Sequence, residues 1–165
     1  MMLYLMRHGV AINRQDPNCP PDAERPLTKK GMAKTRAVAV GLRELGILPE
    51  AMLTSPLLRA AQTAEITAEV LGFSPARIRR TDALIFGKKP AELFGELAKM
   101  RAKEVMCFGH APHLDEVIAF ALGSDSPFTA LKKAGVACLE LETVSPPHGL
   151  LVWIHTPKSL RLLAE

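Results

Sequence analysis

The chain has 165 residues, 48% of them apolar and 23% charged, which suits one folded domain with a buried core and excludes a disordered or low-complexity protein. Its formal net charge of +4 comes without a long Lys/Arg run, so the excess cation reads as an anion site rather than a nucleic-acid arm. The three cysteines, Cys19, Cys107 and Cys138, are odd in number and form no C-x-x-C, which argues against a disulfide framework or a zinc site. With no leader pattern and no apolar run long enough for a bilayer, the expected location is the cytoplasm, with no membrane partner.

Taken in chain order, Met2–Met6 is an almost wholly apolar run and predicts a strand buried on both faces. It ends abruptly in Arg7-His8-Gly9. Residues 13–26 are rich in Pro, Asp and Asn and predict a long loop, of a kind often tied to function. Thr28 is the expected N-cap of a helix running to about Leu45, with Met32, Val38, Leu42 and Leu45 on one face and Gly46 as its stop. A strand over Ala51–Thr54 is broken by Ser55-Pro56, and a helix from about Arg59 to Leu71 ends at Gly72. Arg77–Arg80 predicts a short strand and Pro90–Met100 a helix. Glu104–Phe108 predicts a strand that runs straight into Gly109-His110, followed by a helix over Pro112–Leu122 closed by Gly123. Gly135–Glu142 and Leu150–His155 predict two last strands, a hairpin around Pro-Pro-His-Gly. Strands alternating with helices predict an α/β fold, a mostly parallel sheet with helices on both faces, over a single domain of residues 1–165.

In open α/β sheets, ligands bind outside the carboxyl ends of the strands. Three strands here end in Arg7-His8-Gly9, in Thr54-Ser55-Pro56 with Arg59 a turn into the next helix, and in Gly109-His110. If these strands are adjacent and parallel, two guanidinium groups and two imidazoles meet at one rim. Such a cluster wants a dianion, and arginine favours phosphate because its planar fork bonds two oxygens at once. The helix that begins near Pro112, just beyond Ala111, adds its N-terminal amides. A neutral imidazole is a competent nucleophile at phosphorus, and neighbouring arginine charge keeps His8 unprotonated. Arg7, Arg59 and His110 are then the groups that stabilise a phosphoryl in flight, and Gly9 is expected to let the backbone approach the phosphate without a Cβ.

Other residues carry weaker signals. His8, His110 and His113 are three imidazoles on paper, but two arginines repel a cation, so no metal is expected. Ser55 lacks a G-x-S-x-G elbow and reads as a turn and helix-cap residue. Lys88 and Lys89, like Arg79 and Arg80, read as solvated cations, with an acidic face of a protein substrate as the functional alternative. His148 and His155 read as surface or strand-end residues.

The segments LYLMRHGVA, RPLTKKG, LTSPLLRAAQTAE and VMCFGHAPHL, in that order, resemble the histidine phosphatase superfamily, whose fold is phosphoglycerate mutase-like; the match covers Met2 to about Gly123. Within it the chain looks most like the short SixA-type phosphohistidine phosphatases. The resemblance implies a three-layer α/β/α sandwich, His8 as the nucleophile, Arg7, Arg59 and His110 as phosphate-pocket residues, and no metal or organic cofactor. It also implies an open site suited to a phosphorylated protein. Two positions depart from the pattern: Val10 stands where many relatives are acidic or polar, and Arg14 where mutase-type members carry Asn. Ester-cleaving members supply a carboxylic acid to the leaving oxygen; Asp82 is the candidate in the corresponding segment here, with Glu92 soon after, and neither lies in a recognisable motif. The expected function is a protein phosphohistidine phosphatase. The alternatives are a small-molecule phosphomonoesterase or mutase of the same superfamily, and a catalytically silent phosphate-binding regulatory module.

Overall fold

A computed structural model describes residues 1–165. β1 (Met2–Arg7) sends Leu3 and Leu5 to one side and Tyr4 and Met6 to the other, and all four are buried. β4 (Glu104–Gly109) does the same with Val105 and Cys107 against Met106 and Phe108. Strands apolar on both faces must be covered on both faces. α1 (Lys29–Glu44) and α2 (Leu58–Leu71) cover one side through Val38, Leu42, Ala64 and Ala68. α3 (Pro90–Leu97) and α4 (His113–Ala121) cover the other through Leu93, Leu97, Val117 and Ile118. The result is a three-layer α/β/α sandwich.

β2 (Ala51–Thr54), β3 (Arg79–Arg80), β5 (Val136–Val144) and β6 (Pro147–His155) complete the sheet. Its order is β3-β2-β4-β1-β5-β6. β1 to β4 run parallel, while β5 pairs antiparallel with β1 and with β6. The carboxyl ends of β2, β4 and β1 therefore lie side by side. The ladder continues past the strands: His8 N donates to Gly109 O at 2.9 Å and Ser55 N to Phe108 O at 2.9 Å.

Several local expectations need correction. Thr28 does cap α1, its Oγ1 accepting from Gly31 N at 2.9 Å, but Met32 and Leu45 are 37% and 43% exposed. The buried face is turned toward Gly31, Thr35, Val38 and Leu42, because α1 makes its closest approaches through glycine. A Cβ on Gly31 would strike the Val10 carbonyl, and one on Gly41 the Leu160 carbonyl. α3 stops at Leu97 rather than Met100. The final hairpin turns at Ser145-Pro146, so Pro147–Gly149 belong to β6 and not to a turn. A last helix, α5 (Pro157–Leu162), went unread; Thr156 caps it, accepting from Ser159 N at 3.2 Å, and Leu160 is buried beside Val38 and Leu42. No helix is long and apolar enough to cross a membrane.

Candidate active site

The topology brings Arg7, His8, Arg59 and His110 to one cavity of about 660 Å³, whose wall also includes Ala111 and Lys133. His8 sits one residue beyond β1 and is 7% exposed. Its Nδ1 lies 2.7 Å from Gly9 O. A carbonyl oxygen only accepts, so Nδ1 carries the hydrogen and Nε2 keeps a lone pair. Burial, then the charges of Arg59, Arg7 and Lys133, outweigh the Gly9 hydrogen bond and hold the His8 pKa down at about 4. The imidazole is neutral at pH 7. Its ring centroid is 5.2 Å from that of His110.

His110 is pushed down to about 3, by burial first and then by His8 and Arg59. Its Nε2 lies 2.8 Å from Ser55 Oγ, and Leu57 N donates to the same oxygen at 3.3 Å. The Ser55 hydroxyl hydrogen has no other acceptor in the protein, so it is satisfied by donating to Nε2, which places the proton of His110 on Nδ1. His110 Nδ1 is buried and has no partner in the protein. Ser55 is thus more than the turn and cap residue expected from the sequence: it orients the second histidine.

The two guanidinium groups are fixed from outside the cavity. Arg7 Nη1 donates to Leu131 O at 2.8 Å. Arg59, 2% exposed, donates through Nη1 to Asp22 O at 2.8 Å and through Nη2 to Asp22 Oδ2 at 3.2 Å. The Nε of each is buried and unpartnered. Buried nitrogens without partners are rare in folded proteins, and three of them here belong to three residues of one cavity. Burial lowers the pKa of both arginines, yet a guanidinium stays charged at pH 7. The Ala111 N–H also has no acceptor within the protein.

Asp22 escaped the sequence analysis. It lies in a 3-10 turn of the long loop, Asp22–Glu24, and gathers three arginines: Arg59 on Oδ2, and Arg14 and Arg25 on Oδ1, each at 3.0 Å. Burial would raise its pKa, but the arginines together pull it down to about 2. Thr63 was also missed, although it stands in the SPLLRAAQTAE segment. Its Oγ1 accepts from Gly9 N at 3.0 Å and donates to Arg59 O at 2.7 Å, tying the residue after His8 to the helix that carries Arg59.

Two expected site residues are placed elsewhere. Gly9 does not line the cavity; its N–H is taken by Thr63, and a Cβ would collide with Thr35 Oγ1. Glycine is needed there for close packing against α1, not for approach to a phosphate. Asp82 is exposed and absent from the cavity wall, because Ala83 and Leu84 beside it plunge into the core and turn it outward. His113, the first residue of α4, is buried with Nε2 2.9 Å from Ala83 O and does not join the other two histidines. No group of three His, Cys, Asp or Glu side chains is placed to hold a metal ion. No carboxylate lines the cavity.

A family model described as Histidine phosphatase superfamily (branch 1) matches residues 3–88. The chain belongs to that superfamily. An uncharacterized protein of Picosynechococcus sp. (strain ATCC 27264 / PCC 7002 / PR-6) is 41% identical over 146 residues, 82% of each chain. Phosphohistidine phosphatase SixA of Escherichia coli (strain K12) is 37% identical over 71 residues, which is 43% of this chain and 42% of that one. Among solved structures, the protein histidine phosphatase SixA complexed with tungstate superposes with a TM-score of 0.85 at 24% identity, covering 97% of this chain and 99% of that one. The superfamily and its phosphoglycerate mutase-like fold are those named from the sequence segments, and they support phosphatase activity in general.

Proposed function

We propose that residues 1–165 act as one histidine phosphatase domain that hydrolyses phosphohistidine on a protein through a phosphoryl group held covalently on His8. The observation that carries this reading is the tautomer of His8: Gly9 O holds the hydrogen on Nδ1, so the Nε2 lone pair is the nucleophile. In the first step Nε2 forms a bond to phosphorus as the P–N bond of the substrate breaks, and the departing imidazole takes a proton from water. In the second step water attacks phosphorus, the P–Nε2 bond breaks, inorganic phosphate leaves and His8 regains its lone pair. The free N–H groups of Arg7, Arg59 and His110 Nδ1 are the donors that meet the oxygens of the group in transfer.

The choice of a phosphoramidate over an ester rests on the absence of an acid. An alkoxide leaving group needs a positioned proton donor, whereas an imidazole nitrogen leaves with less help. The carboxylate closest to the arginines, Asp22, is held ionised by them, and Asp82 faces solvent. The relative solved with tungstate is in keeping with a pocket for a tetrahedral oxyanion. To test the reading, labelled phosphate is trapped on the enzyme by acid-free denaturation, and turnover is compared on a phosphohistidine protein and on alkyl phosphate monoesters. The expected result is an acid-labile label on His8, a large preference for the protein, and a loss of about 10³-fold or more in His8→Ala. Equal turnover by wild type and His8→Ala would end the enzyme reading, and a preference for the monoesters would end the substrate assignment.

A further inference from the structure

Five cations line the cavity: Arg7, Arg14, Arg25, Arg59 and Lys133. Arg7 is engaged by Leu131 O, and Arg14, Arg25 and Arg59 share Asp22. Lys133 alone has no carboxylate within ion-pair distance and no hydrogen-bond acceptor in the protein. Its side chain is exposed, but the backbone that carries it is fixed. The turn that carries it is bonded on both sides to the nucleophile's own backbone. Ala134 N donates to Arg7 O at 3.0 Å and to His8 O at 3.1 Å, and Arg7 N donates to Gly135 O at 3.1 Å. Gly135 N closes the turn onto Lys132 O at 2.7 Å, with Ala134 at a φ of 62°, the one non-glycine residue with positive φ. On the upstream side the buried Asp115 fixes the segment, accepting from Leu131 N at 3.0 Å and Thr129 Oγ1 at 2.6 Å.

The turn so anchored carries two exposed, unpaired lysines, Lys132 and Lys133, and of the two only Lys133 lines the His8 cavity. A phosphoryl dianion arriving at Nε2 meets in Arg59 a charge already shared with Asp22 and in Arg7 one that is free, and the uncompensated ammonium of Lys133 at the same wall adds a second full charge to bind it. We infer that Lys133 is a substrate-contacting residue whose ammonium binds a non-bridging oxygen of the phosphoryl group at the cavity mouth. This rests on the reading of the cavity as a phosphoryl site and adds a fifth side chain to it, one that the sequence signals at Arg7, His8, Arg59 and His110 do not include.

The test uses the full chain with Lys133→Met and Lys133→Arg, their folding checked by thermal melts. Three quantities are measured: kcat/KM on a phosphohistidine protein, kcat/KM on a chromogenic aryl phosphate, and the calorimetric Kd of inorganic phosphate. Lys133→Met is expected to lower both kcat/KM values about tenfold or more and to weaken phosphate binding at least fivefold, with Lys133→Arg restoring most of each. The acid limb of kcat/KM also moves to higher pH in Lys133→Met. One cation beside His8 is then gone, while Arg7, Arg59 and His110 still face it; this shift follows from the charge alone, and the phosphate Kd and the rescue by Lys133→Arg are what report contact with the phosphoryl group. The inference is overturned if Lys133→Met keeps kcat/KM and phosphate Kd within twofold of wild type. It is equally overturned if only the protein substrate is affected, since the lysine then touches the protein body and not the phosphoryl group. The phosphate Kd decides the point even if wild type turns nothing over, so failure here is distinct from failure of the phosphatase reading, which shows in His8→Ala.

Discussion

Ser55 illustrates how a small side chain decides the chemistry of a larger one. Its hydroxyl accepts from Leu57 N and meets His110 Nε2, so the proton of His110 is directed to Nδ1, the nitrogen left unpartnered. Ser55→Ala leaves Nε2 buried without a partner, at a cost of about 1–3 kcal/mol, and frees the imidazole to take the other tautomer. We expect kcat to fall about tenfold or more with KM little changed, since roughly 1.4 kcal/mol corresponds to tenfold. Equal kcat in wild type and Ser55→Ala would remove Ser55 from the site. His8 gives a second prediction at this scale. With its pKa held at about 4 by burial and by Arg59, Arg7 and Lys133, the acid limb of kcat/KM lies near pH 4, well below the ordinary histidine value of 6.5. A limb at pH 6 to 7 in the profile would show that the nucleophile is not shielded as the geometry requires.

At the scale of elements, the site is a property of where β1, α1 and α2 touch. Gly9 joins them: its carbonyl orients His8, its amide is held by Thr63 on α2, and its missing Cβ admits Thr35 of α1. Gly9→Ala must push Thr35 or Leu27 aside, and overpacking of this kind costs about 1–3 kcal/mol. The same displacement moves the carbonyl that fixes the His8 tautomer, so stability in urea and kcat should fall together. A variant that melts like wild type and keeps its rate would show that the contact is slack. The strands were legible in the sequence because a run apolar on both faces, such as Met2–Met6, has few other uses. The four rim residues were legible because each ends a strand, directly follows one, or lies in the first turn of the next helix. α5 was not legible, since six residues with a proline at their start carry too little periodicity, and its anchor, Leu160, matters only once α1 lies beside it. Asp22 was hidden for a different reason: its partner Arg59 is 37 residues away, and nothing local to a loop of Asp, Asn and Pro marks one carboxylate as the keeper of three arginines. Nor does a sequence show that Gly9 serves packing while Asp82 faces out, because both outcomes depend on which neighbour occupies the far side.

For the whole molecule, the site imposes a dependence of stability on pH. Two imidazoles are buried beside two guanidinium groups, and both are held neutral, His8 down to about 4 and His110 to about 3. In the unfolded chain the same histidines titrate near their ordinary value of 6.5. Between that value and the folded ones the unfolded state binds more protons, so stability falls as pH drops through 6.5 and continues to fall until about 4 for His8 and about 3 for His110. Above 6.5 neither histidine contributes to the slope. Asp22 acts in the same direction but lower down, because its depressed pKa of about 2 confines its loss to the range below its ordinary 3.8. The interval from pH 6.5 to 4 therefore isolates the histidines from Asp22. Urea unfolding across that interval should show wild type losing stability more steeply than His8→Asn, which keeps a polar side chain of comparable size but binds no proton. The difference between them should be on the order of 1–3 kcal/mol at pH 4.5 and should vanish at pH 7.5 apart from a constant offset. Parallel curves would mean that His8 takes up its proton near pH 6.5 in the folded chain as it does in the unfolded one. The Nε2 lone pair on which the phosphoryl transfer depends would then be lost below that pH, and the shielding of the nucleophile would be refuted.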